Sequence, residues 1–313
     1  MSEIERLGLG LAALGRPAYI NVGRAAELPP SRGVAAMRTA TWEVLDAAYA
    51  AGIRWVDAAR SYGRAEEFLA GWLADRDHDD VTVSSKWGYA YVGDWRVDAD
   101  VHEVKEHTLA RYRSQLAETK ALLGDRLRLY QVHSLTADSP LFADAALQRA
   151  LAETAAAGLP MGFSTTGPGQ ADTVRRALDL RVDGRSLFTS VQSTWNVLEP
   201  SVESALYEAH EAGLRVMIKE VLANGRLAVD PPRPLALLAE RHGAGPDAAA
   251  LAAALDRLPW ADTVLIGAVS VPQLHANLEA AKVSLTAADL ADLAPLETLP
   301  ADYWSTRSAL PWI

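Results

Sequence analysis

Three times the chain runs through the same phrase: "AAYAAGIRWVDAA" (47–59), "LAETAAAGLPMGFST" (151–165) and "LYEAHEAGLRVMIKE" (206–220). Each is the end of an Ala-rich amphipathic helix, a glycine suited to the left-handed cap just past it, and a short apolar run suited to a strand buried on both faces. This is the helix-to-strand half of a βα unit, and a chain built from it is committed to a parallel sheet covered by helices. Short apolar runs of this kind occur near 7–12, 53–57, 81–85, 128–132, 160–164, 188–192, 214–218 and 262–266. Helical patterns lie between them, among them "RTATWEVLDAAYAA", "RAEEFLAGWLAD", "HEVKEHTLARYRSQLAETKALL", "DAALQRALAETAAA", "GQADTVRRALDL", "EPSVESALYEAHEA" and "DAAALAAALDRL". Eight units in 313 residues predict a closed (β/α)8 barrel rather than a doubly wound sheet. No charge run or Ser/Gly-rich linker divides the chain, so residues 1–313 read as a single domain. Three stretches are too long or irregular for simple connections: 14–37, 87–100 and the tail after Leu299.

Composition removes several classes of function. The chain has no cysteine, which excludes disulfides, thiolate metal sites and cysteine nucleophiles. A net charge of -10 with no basic stretch argues against nucleic acid as a partner. The start "MSEIERLGLG" lacks the positive charge of a secretory signal, and "DAAALAAALDRL" is too short to cross a bilayer. The expectation is a cytoplasmic protein with no membrane partner.

In such barrels the site forms at the carboxyl ends of the strands, so the first polar residue after each apolar run matters most. Strand two ends at Asp57, three at Lys86, four at His133, five at Ser164, six at Gln192 and seven at Lys219. Taken singly, Asp57 reads as a helix cap and His133 as a structural histidine. Together they suggest chemistry. Asp57 could hold the Lys86 ammonium, and the ammonium could lower the pKa of Tyr62, five residues after Asp57, making it a general acid. His133 could then orient a carbonyl oxygen toward the tyrosine hydroxyl, leaving the carbon open to a hydride.

At these residues the chain resembles the aldo-keto reductases, (β/α)8 enzymes that use a nicotinamide cofactor. The resemblance rests on "DAARSYG" followed by Ala65-Glu66, on Lys86, "QVHS", "GFSTT" and "VQSTWN", and on "IGAVSVPQLHANLEA", and it runs from Gly8 to Ala280. It implies Tyr62 as general acid/base, Asp57 and Lys86 as its tuning pair, and His133 as carbonyl orienter. It also implies Ser164 and Gln192, with Thr165 and Lys219 beside them, at the nicotinamide. Leu222, Gly225 and Arg226 of "LANGRL", and Gly267, Val269, Gln273 and Asn277, would cover the pyrophosphate and adenosine ends. The implied activity is hydride transfer between NADP(H) and an aldehyde or ketone or the corresponding alcohol.

Departures from the family pattern stand beside this. Thr165 occupies the position of a usual Asn, Lys219 that of a usual aromatic ring, and Val269 and Gln273 those where relatives often carry a cation for the 2′-phosphate. NADP(H) is therefore favoured by resemblance, with NAD(H) open and Arg226 a substitute cation. Just past Lys86, Trp87 and Tyr89 are candidates for a substrate-pocket wall, the alternative being that they pack the rim. "GLGLAALG" has the wrong spacing for a dinucleotide fingerprint, and "GFSTTG" lacks the lysine of a phosphate loop. "HEVKEH" (102–107) reads as a solvated helix face rather than a metal site, and no metal is expected. Two other functions fit the same residues: a slow nicotinamide-binding regulatory protein, or a lyase using Lys86 or Lys219 as an amine nucleophile. Oligomeric state and the role of Arg60 are not legible.

Overall fold

A computed structural model describes residues 3–313, with Arg24 described by its backbone alone. Eight strands form a closed parallel barrel: β1 (Leu7–Gly10), β2 (Trp55–Asp57), β3 (Thr82–Trp87), β4 (Leu127–Leu135), β5 (Met161–Thr165), β6 (Ser190–Thr194), β7 (Arg215–Lys219) and β8 (Thr263–Ile266). Each pairs with its neighbours in sequence and β8 closes on β1, with Leu9 opposite both Val56 and Ile266. All eight expected strands are present. The cap glycines adopt the left-handed backbone expected of them, Gly52 at φ 103°, Gly158 at 98° and Gly213 at 85°.

Helices between the strands bury one stripe against the barrel, for example Val34–Ala50 through Met37, Val44, Leu45 and Ala48. Pro246–Arg257 is buried almost all round: Ala248 through Leu255 are all covered, and alanine is the residue small enough to let a helix sit that close.

Side chains alternate along each strand, which divides the interior into layers. Leu129, Met217 and Leu265, with Trp55 against them, form a small apolar cluster separate from the main core. Two residues further along the same strands come Asp57, Gln131 and Lys219. Between them, the other parity (Val56, Tyr130, Ile218) joins the main core under the helices. The barrel is therefore apolar at its waist and polar at the carboxyl mouth.

Two expectations about local structure are corrected. Residues 102–108 are not helical: Glu103–Lys105 pairs antiparallel with Tyr89–Tyr91, and the helix begins at Leu109 because the Thr108 side chain caps it, accepting from the Arg111 amide at 3.1 Å. The tail after Leu299 contains a helix, Pro300–Ser308. Beyond it, Ile313 and Tyr19 exchange backbone hydrogen bonds of 3.2 Å, so the tail runs beside the 14–37 connection. Among the described residues no helix is long and apolar enough to cross a membrane.

Candidate active site

A cavity of about 500 Å³ opens at the carboxyl mouth and is lined by Asp57, Tyr62, His133, Ser164, Gln192 and Lys219 among others. Lys86 stands beneath it, 1% exposed. Its ammonium donates to the Asp57 carboxylate, to the Ala58 carbonyl at 3.1 Å and to the Tyr62 hydroxyl at 3.4 Å, which accounts for all three of its protons. Asp57 is held in turn by Ser84 Oγ at 2.7 Å and Gln131 Nε2 at 3.2 Å. Lys86 donates to the Tyr62 oxygen, so the phenol keeps its own proton to donate, and Tyr62 lines the cavity.

The electrostatics correct one expectation. Burial first, and the Asp57 carboxylate second, hold the Tyr62 pKa well above its ordinary value, with the Arg16 guanidinium opposing them. The lowering expected from Lys86 does not prevail, since that ammonium is already paired with Asp57. Tyr62 is thus a protonated donor. His133 sits edge-on to Tyr62, ring centroids 5.4 Å apart, and burial followed by the charge of Lys86 pushes its pKa well below the usual histidine range. It is a neutral imidazole. Its carbonyl accepts from His107 Nε2 at 2.8 Å, while His107 Nδ1 lies 2.8 Å from Ser139 Oγ.

Strand parity decides which of the candidates on strands reach the cavity, and loop and helix placement decides the rest. Ser164, Gln192, Lys219, Leu222, Gly225, Gly267, Gln273, Asn277 and Tyr89 line it. Trp87, Thr165, Val269 and Arg226 do not. Trp87 follows Lys86 and so points the other way, packing on Tyr112 with centroids 4.8 Å apart; its expected pocket role is corrected. Thr165 follows Ser164 and turns outward to Ser193 Oγ at 2.6 Å, and its neighbour Thr166 lines the cavity instead. Val269 is buried, and the Arg226 guanidinium lies over the Tyr303 ring at 4.8 Å. Arg60, between Asp57 and Tyr62, pairs with Glu66 at 2.6 Å and Glu118 at 2.7 Å.

The barrel resembles solved structures of an aldo-keto reductase from Bacillus halodurans in its holo form (TM-score 0.67, 21% identity, 94% of this chain and 92% of that one). It also resembles a glycerol dehydrogenase from Gluconobacter oxydans (TM-score 0.67, 20% identity, 93% and 90%). These likenesses concern the fold. In sequence, a D-threo-aldose 1-dehydrogenase from a Pseudomonas species is 26% identical over 296 residues, 83% of this chain and 88% of that protein. The model of the aldo/keto reductase family matches residues 6–297. The chain belongs to the aldo/keto reductase family.

As a member of that family it is an NAD(P)H-dependent oxidoreductase, and its cavity fits a polar dinucleotide. Gln192 Nε2, Asn21 Oδ1 and Asn224 Oδ1 are buried without a hydrogen-bond partner, and all three residues line the cavity. The loop after β7 is shaped for close approach. Glu220, Ala223 and Asn224 have φ of 57°, 48° and 58°, and Gly225 follows at 86°. A Cβ on Gly225 would lie 2.3 Å from the Val22 carbonyl oxygen, so glycine alone lets this loop rest on the 14–37 connection.

This aldo/keto reductase also places residues at the cavity that the sequence reading missed. Arg16, 1% exposed, donates to Glu103 Oε1 at 2.7 Å and lies over the rings of Tyr19, Tyr62 and Trp312 at 4.3, 5.0 and 4.9 Å. Glu220 is paired with Arg307 through two contacts of 2.7 Å. All of these residues line the cavity. For all but Glu103 the available signal was where they sit, in an irregular stretch, beside a strand end or in the tail; Glu103 lay in a stretch read as helix and carried none.

Proposed function

We propose that this protein moves a hydride between a nicotinamide dinucleotide and a small carbonyl compound or the corresponding alcohol, with Tyr62 as general acid/base and residues 1–313 acting as one domain. The observation that carries the reading is the hydrogen bonding of Lys86, which ties Asp57 and Tyr62 together at the cavity. When bound, the dinucleotide supplies or takes the hydride. The chain's own residues do the rest. His133 orients the carbonyl oxygen, Tyr62 delivers a proton to it, and the Lys86 charge stabilises the oxygen that the proton leaves. In alcohol oxidation the same groups run in reverse. Ser164 and Gln192 would hold the nicotinamide carboxamide, for which the unpartnered Gln192 Nε2 is suited.

The form of the dinucleotide is decided at its 2′ position. NADP(H), favoured by family resemblance, needs a cation there. Along the arc from Gly267 to Asn277, among described side chains that line the cavity, the charged groups are the carboxylates Glu27 and Asp247. That lining supports NAD(H). The reacting end is polar, with Arg16, Glu103, Tyr19 and Tyr89, a mixture of donors and acceptors suited to a hydroxylated substrate. The similarity to a protein named D-threo-aldose 1-dehydrogenase makes aldoses the first compounds to test.

The test is titration with NADH and NADPH separately, followed by quenching of tryptophan fluorescence, and then turnover across aldoses and hydroxyl-free aldehydes. Tighter binding of NADH, with turnover of at least one carbonyl or alcohol, is the expected result. Binding of neither dinucleotide would rule the reading out.

A further inference from the structure

Ser61 stands directly before Tyr62, is wholly buried (0% exposed), and places its Oγ 3.3 Å from His133 Nδ1. A buried hydroxyl needs an acceptor for its proton. Among the described residues, His133 Nδ1 is the hydrogen-bond partner of this hydroxyl. If Nδ1 carried a proton it would donate to Oγ and leave the serine proton with no acceptor. A neutral imidazole holds a single proton, so with Nδ1 accepting, that proton lies on Nε2.

We propose that Ser61 is a positioning residue whose hydroxyl fixes His133 in the Nε2–H tautomer, so that the histidine presents an N–H to the cavity rather than a lone pair. The distinction is chemical: an N–H attracts a carbonyl oxygen and a lone pair repels it. Burial, and then the charges of Lys86, Lys219 and Arg16, keep the ring neutral, and without this the tautomer would have no meaning. The segment that carries Ser61 is itself held. The Ser61 carbonyl accepts from the Arg16 guanidinium at 3.2 Å, and the Arg60 amide donates to the Lys86 carbonyl at 3.0 Å. The effect on turnover rests on His133 acting as carbonyl orienter, whereas the tautomer does not.

The experiment is two-bond 1H–15N correlation on protein labelled at its seven histidines, with the His133 signal assigned by its loss in His133→Asn. Wild type is expected to show the Nε2–H pattern. Ser61→Ala is expected to shift toward Nδ1–H and to lose about tenfold in kcat, the scale of one hydrogen bond, with KM within about twofold. Ser61→Thr, which keeps the hydroxyl, restores both. An Nδ1–H pattern in wild type overturns the proposal even if the alanine variant does not fold, and so does a pure Nε2–H pattern in Ser61→Ala. A tautomer shift with kcat unchanged would uphold the Ser61 assignment and sink the reading of His133 as orienter.

Discussion

Asp57 and Lys86 are 2% and 1% exposed, and neither charge can stay buried without the other. Replacing Asp57 by alanine leaves the ammonium with the Ala58 carbonyl and the Tyr62 hydroxyl as partners. The expected cost is about 3–5 kcal/mol in stability, read from chemical denaturation at neutral pH. Asp57→Ala within about 0.5 kcal/mol of wild type would mean that the pair is not what holds these groups in place. The residues of this chain were legible in unequal degree. Asp57, Lys86 and His133 stood out because each is polar at a point where an apolar run stops, and Tyr62 because it follows Asp57 by five residues. Trp87 and Thr165 were misread for a related reason. Each adjoins a residue that faces the mouth, and a step of one along a strand reverses the side chain.

At the scale of elements, the loop after β7 and the helix Pro300–Ser308 are joined by an ion pair that strand-end reading could not find, because its partners lie 87 residues apart. Glu220 is largely buried, its side chain 10% exposed. Burial would raise its pKa, but Arg307 and then Lys219 outweigh that and hold it down to about 2, against 4.5 for a free side chain. A carboxylate depressed in this way adds stability that is fully present above the unfolded pKa and is lost as pH falls through the folded one. Unfolding free energy should therefore drop between about pH 4.5 and pH 2, and more steeply in wild type than in Arg307→Met, where the depression is removed. Equal slopes for the two proteins across that window would show that the pair adds nothing. The misassigned stretch 102–108 belongs to the same scale. Its i, i+4 polar spacing imitates a helix, but the cap at Thr108 and pairing with Tyr89–Tyr91 make it a hairpin. That hairpin brings Glu103 to Arg16.

Over the whole molecule, the fold was almost fully legible and the cavity only in part. A (β/α)8 barrel repeats a local rule eight times, so period, capping glycines and apolar runs each restate the architecture. The cavity wall obeys no such rule. Arg16, Glu103, Glu220 and Arg307 come from connections and the tail, where contacts are non-local and side-chain direction has no period. Closure of the barrel gathers these groups around one buried tyrosine, and the central claim is that this tyrosine moves the proton. The measurement that tests it most directly is steady-state turnover of Tyr62→Phe, with dinucleotide affinity and melting temperature measured on the same sample. The account predicts unchanged dinucleotide binding and a fall of about 10²–10⁴-fold in kcat for carbonyl reduction. A folded, dinucleotide-binding Tyr62→Phe that keeps wild-type kcat would contradict it.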